Sequence, residues 1–140
     1  MTGFDLGRFV TAQQDIYARA LAELKAGHKQ SHWMWFVFPQ LAGLGSSPMA
    51  IRYAIRSAEE AGAYLAHPVL GARLRESVAA MLAHKDARPE AILGGIDALK
   101  FRSSLTLFEA VADDPSPFAA ALDTFYDGER DRRTLELLGR

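Results

Sequence analysis

Cysteine is absent from the 140 residues. Its absence excludes a disulfide framework, a thiolate metal site and a cysteine nucleophile, and it fits a reducing compartment. β-Branched aliphatic residues are also scarce: valine and isoleucine together number ten, against 24 alanines and 17 leucines. Helix formers therefore outweigh strand formers. No apolar run approaches the ~20 residues that a membrane-spanning helix needs. An excess of charge is missing too. The formal net charge is −1, which gives no general attraction to nucleic acid or to an anionic membrane. The start, Met1-Thr2-Gly3-Phe4-Asp5, lacks the basic residues and apolar run of a signal peptide. These absences lead to the expectation of a soluble, cytoplasmic protein with no nucleic-acid or membrane partner. No repeat, low-complexity segment or linker divides residues 1–140, so one domain is expected. A chain of this length buries roughly 70% of its unfolded surface, enough for an unstapled core.

What is present is helical periodicity broken by turn residues. Residues 5–26 repeat apolar side chains at three- and four-residue steps, with Asp5 placed to cap the start and Gly27 the end. The pattern predicts one amphipathic helix there, with Glu23 on its solvated face. Ser47-Pro48 is a helix start, with a capping hydroxyl before proline; that helix should carry Met49, Tyr53 and Ile55. Ser57 with Glu60 has capping-box spacing and predicts a helix to about Ala66. Further helices are predicted over 68–84, after Pro89, from Ile96 to about Ala112, from Ser116-Pro117 to Gly128, and from Asp131 to Leu138. The total is about seven or eight helices with no sheet, in a compact, orthogonally packed all-α fold.

The chemically dense stretch is Lys29-Gln30-Ser31-His32-Trp33-Met34-Trp35-Phe36-Val37-Phe38-Pro39-Gln40. It holds both tryptophans beside a lysine and a histidine. Ser31 could cap a helix of about two turns here, apolar all round and therefore buried. A second rich segment runs from Asp97 to Thr106. On a helix, Asp97, Lys100 and Ser104 share one stripe, flanked by Phe101 and Phe108. Lysine and hydroxyls among aromatics can hold an anionic group while a ring stacks on a planar ligand. The candidate ligand-binding residues are thus Lys29, His32, Trp35, Lys100, Ser103 and Ser104, and the ligand would be a small anion or nucleotide-like metabolite. If chemistry follows, His32 or Asp97 would be the acid or base and Lys100 the charge stabiliser. The same residues admit a plainer account: an Asp97–Lys100 ion pair, serines bonded to backbone, a backbone-bonded histidine and tryptophans in the core. The protein would then be a non-catalytic interaction module acting through an exposed apolar patch.

Metal binding is not expected. His28 and His32 are four apart, but they straddle a helix end and a helix start, with no neighbouring carboxylate. Gly43-Leu44-Gly45-Ser46-Ser47 precedes a helix, yet lacks the strand and the Gly-Lys-Ser/Thr of a P-loop. No cofactor is specified by any motif.

The run Lys29 to Gly45 resembles the signature of the bacterial and fungal family called Domain of Unknown Function 1810. Met49-Ala50, Tyr53-Ala54-Ile55, His67-Pro68-Val69-Leu70-Gly71 and Asp97 to Phe108 match as well, as do Phe4-Asp5-Leu6 with Phe9, and Asp131 with Thr134, Leu135 and Leu138. The resemblance implies an all-α, single-domain fold and no established activity. The label calpastatin-like, sometimes given to members, finds no support here, since nothing resembles a flexible protease-inhibitor repeat.

Overall fold

The computed structural model describes residues 4–140. Ten helices follow one another: α1 (Gly7–Gln13), α2 (Tyr17–Ala26), α3 (Met34–Val37), α4 (Pro48–Arg52), α5 (Ala58–Ala66), α6 (Leu70–Leu82), α7 (Pro89–Leu93), α8 (Gly95–Val111), α9 (Ser116–Tyr126) and α10 (Arg132–Leu137). The fold is all-α as expected, with more and shorter helices than the sequence predicts.

The extra elements have causes in contacts from elsewhere in the chain. The single helix predicted over 5–26 is split at Gln14–Ile16, so that α1 packs on α3 while α2 packs on α6. Gln13 fixes this break. It is buried, its amide donates to the Phe36 carbonyl at 2.6 Å and the Tyr64 hydroxyl at 3.2 Å, and its oxygen accepts from Arg73 at 3.3 Å. Asp5 does not cap α1; Leu6 occupies that position without a side-chain bond. Gly27 does close α2, at φ 73°, donating to Glu23 and Leu24. Ser47 caps α4 through the Ala50 N–H at 3.2 Å, but the helix ends at Arg52. Ile55 instead forms an isolated parallel bridge with Leu41. The Ala42 N–H donates to the Ile55 carbonyl at 2.7 Å and the Ile55 N–H to the Gln40 carbonyl at 2.9 Å. Half of the capping box of α5 is present: Ser57 Oγ accepts from the Glu60 N–H at 3.1 Å, while Glu60 Oε1 accepts at 2.8 Å from the N–H of Arg56, one residue before the cap.

The core is a chain of aromatic rings about α8, the longest helix. Phe38 meets Phe101 at 4.7 Å between centroids, Tyr64 meets Phe108 at 5.4 Å, and Phe9 meets Tyr64 edge-on at 5.1 Å. Phe101 and Phe108 are completely buried. They cannot stack on a ligand, contrary to their expected place beside a binding stripe. α8 packs against α5, α7, α9 and α10, which buries most of its length after the first turns.

The α5–α6 junction tolerates no side chain at Gly71, where a Cβ would lie 2.1 Å from the Leu65 carbonyl oxygen. Gly71→Ala is expected to cost at least about 1–3 kcal/mol, since the backbones must separate. Chemical denaturation of the purified variant measures this, and a wild-type midpoint would refute it.

Candidate functional site

The 28–33 segment has no regular structure, so something must hold it. That group is Glu23, in the last turn of α2. Its Oε1 accepts from the Gln30 N–H at 2.8 Å, the Ser31 N–H at 3.0 Å and the Trp33 indole N–H at 2.9 Å, and its Oε2 accepts from the Ser31 hydroxyl at 2.6 Å. Burial alone would raise the Glu23 pKa. The Ser31 hydroxyl, the Gln30 N–H and the Trp33 indole outweigh it and hold the carboxyl at about 2. Glu23 is therefore not a solvated residue, as its place in the charge pattern predicts. Ser31 spends its hydroxyl on Glu23 rather than on a helix cap, and α3 is a single turn starting after Trp33. A signal for this was present in the sequence: Glu23 stands three residues after Ala20, at the edge of the face that buries Tyr17, Ala20 and Leu24.

Clasped in this way, the loop delivers Lys29 to α8. The Lys29 N–H donates to the Ile92 carbonyl at 2.8 Å, and its ammonium lies 2.9 Å from Asp97 Oδ2 with the side chain only 9% exposed. The same ammonium sits 5.1 Å from the centroid of the Trp33 ring. Lys100, one turn along α8, approaches Asp97 Oδ1 at 3.6 Å and lies 5.4 Å from the Trp35 ring centroid. Two segments nearly seventy positions apart in the chain thus meet on one carboxylate. Two cations share a single anion, each with an indole face beside it, an arrangement that favours cations. The cluster retains one positive charge, on its more exposed side, where Lys100 stands.

Other predicted site residues go elsewhere. Ser103 turns toward α10, where its hydroxyl lies 3.2 Å from both the Leu99 carbonyl and Asp131 Oδ2. Ser104 is 1% exposed, and its hydroxyl has no partner among the described residues. It lies inside the core, not beside Lys100 on an open face. His32 is exposed and forms no hydrogen bond or ion pair with any described residue. Trp35 is half-buried, and the Lys100 ammonium already occupies the neighbourhood of its face. A shallow groove of about 360 Å³, lined by Leu93, Gly94, Gly95, Ile96 and Asp97, opens beside the ion cluster. No group of three or more histidine, aspartate or glutamate side chains among the described residues is arranged to hold a metal ion. No described helix is long and apolar enough to cross a membrane.

Comparison with known proteins adds identity without an activity. No curated protein matches the chain. A crystal structure of the conserved hypothetical protein Rv1873 from Mycobacterium tuberculosis is similar over 98% of both chains, with 51% sequence identity and a TM-score of 0.96. The family described as "Protein of unknown function (DUF1810)" matches residues 3–138. With nearly the whole length matched, the chain belongs to the DUF1810 family.

Proposed function

We propose that the chain binds a small anionic or nucleotide-like metabolite where the 28–33 loop meets the start of α8. The observation behind this reading is the Lys29–Asp97–Lys100 cluster. A purely structural ion pair needs one cation; here a second is present and partly exposed. The groove at Gly94-Gly95 lies against it, and neither glycine would place a Cβ near another group. The first backbone N–H groups of α8 open there, and such groups favour an anion. Lys100 would engage the anion, Lys29 would hold Asp97, and Trp35 would offer a ring once Lys100 has swung onto the ligand. His32, exposed beside Trp33, would be a second donor.

Thermal unfolding against nucleotides, dinucleotides, sugar phosphates and inorganic phosphate tests this. A ligand at about 100 times its Kd adds about 2.7 kcal/mol, a shift of several degrees. The expected result is a shift with at least one anion that Lys100→Ala abolishes and that Lys85→Ala, at an exposed lysine in the turn after α6, keeps. A flat panel would overturn the reading. It would favour the second one, an interaction surface, for which Ile96 and Leu99 speak: they are 75% and 59% exposed on the same end of α8.

A further inference from the structure

A separate feature lies on another part of the surface. The loop Leu41-Ala42-Gly43-Leu44-Gly45 walls a groove of about 440 Å³, whose lining is Ala42, Gly43, Gly45, Ile51, Ala54 and Arg56. A second groove of about 370 Å³ shares Ala42 and Arg56 with it, and extends to Glu59, Leu137 and Leu138. Such volumes are of the size that small ligands occupy.

Its shape is dictated by packing. Gly45 must lack a side chain, because a Cβ would lie 2.6 Å from the Ala50 Cβ. Gly43 holds φ 101°, where other residues are strained. The Leu41–Ile55 bridge, with its two backbone bonds, ties the Ala42 side of the groove to the Ala54–Arg56 side. The walls expose apolar surface: Ile51 is 60% and Leu137 40% exposed. Arg56 stands at the junction of the two grooves. Its backbone N–H serves Glu60, but its guanidinium makes no ion pair or hydrogen bond with any described residue.

We propose that this groove binds a small organic monocarboxylate with an apolar body. The carboxylate would take the fork of Arg56, which matches it in two parallel bonds, and the body would cover Ile51, Ala42 and Ala54. Charge selects the monoanion. The apolar groove has one cation and no acid among its lining residues, whereas Glu59 in the neighbouring groove would repel a dianion such as a phosphate ester. This site is independent of the one at α8.

The test is amide NMR of the full chain titrated with hexanoate and phenylacetate, beside hexanol, hexylamine and inorganic phosphate. The two acids should move the Gly43 and Gly45 signals saturably at millimolar concentration, while hexanol, hexylamine and phosphate do not. Arg56→Ala should weaken the acids by about tenfold or more, the value of a charge-assisted hydrogen bond, and Arg56→Lys by less. Arg56 is exposed, so both variants should keep the wild-type spectrum elsewhere; Lys100→Ala should leave the response intact. The proposal fails if neither acid gives a saturable shift, if hexanol or phosphate equals them, or if Arg56→Ala binds them unchanged.

Discussion

Glu23→Ala should be among the most damaging single substitutions, with a loss on the order of 3 kcal/mol or more, because hydrogen bonds to a charged acceptor are worth about 1.5–3 kcal/mol each. Four donors converge on this carboxylate. One of them, the Trp33 indole, belongs to a completely buried side chain, so truncation strands a donor where water does not reach. Glu23→Gln is the informative partner. A single amide oxygen can still accept the three N–H bonds of Oε1, and the amide NH₂ can turn to the Ser31 oxygen. Its cost at neutral pH should be a fraction of that of the alanine variant. Urea denaturation of both proteins decides this; equal losses would show that charge itself, and not the bond set, holds the loop.

The same carboxylate sets a pH dependence. Its folded pKa of about 2 lies below the ordinary glutamate value of about 4.3. The unfolded chain therefore takes up the proton first, and acid favours unfolding. The Glu23 contribution is complete above the unfolded value and is lost progressively as pH falls toward the folded one. The stability gap between wild type and Glu23→Gln should narrow between neutral pH and about pH 3, since the amide does not titrate. A gap that stays constant would assign the acid sensitivity to other carboxylates.

Glu23 also shows why the fold was easier to read than the site. Helix starts and stops are local chemistry. Ser47-Pro48, Ser57 with Glu60, Pro89 and Gly27 each set their boundary through bonds within one turn, and each boundary lies where the sequence places it. The boundaries that moved were set from outside the element. The break after Gln13 answers to Phe36, Tyr64 and Arg73; the short α3 answers to the Ser31–Glu23 bond; the early end of α4 answers to the Leu41–Ile55 bridge. The site divides in the same way. Lys29, Asp97 and Lys100 stand out by residue type, but periodicity cannot bring residue 29 to residue 97. Ser104 shares the Lys100 stripe by helical geometry, and only the packing of α5 and α9 on α8 turns that part of the stripe inward. Glu23, which periodicity reads as solvated, is buried, and its place at the edge of the apolar face of α2 was the available warning.

Arg8→Ala should cost about 3–5 kcal/mol, the usual result of removing one partner from a buried ion pair. Its guanidinium lies 3.3 Å from Glu60 Oε2, with side-chain exposures of 10% and 2%. Without Arg8, the buried Glu60 carboxylate keeps its bond from the Arg56 N–H but loses its countercharge. The same guanidinium donates to the Ala54 carbonyl at 2.8 Å, to the Arg52 carbonyl at 3.0 Å and to the Asp5 carbonyl, so three backbone acceptors lose a donor as well. Arg8→Lys retains the charge without the planar fork and should fall between the two. A double-mutant cycle with Glu60→Gln should show a coupling of about 0.5–3 kcal/mol, as expected for residues in direct contact; additive losses would mean that Arg8 acts through the carbonyls alone. The carbonyls give a second, local readout. Arg52 and Ala54 flank the turn that leads into Ile55, whose bridge to Leu41 adjoins the groove residues Ala42, Ala54 and Arg56 in the chain. Hydrogen exchange at the Ala42 and Ile55 amides should therefore accelerate in Arg8→Ala beyond the change in global stability, because local opening becomes easier than unfolding there. Exchange that tracks global stability alone would place Arg8 in the core ledger and separate it from the groove.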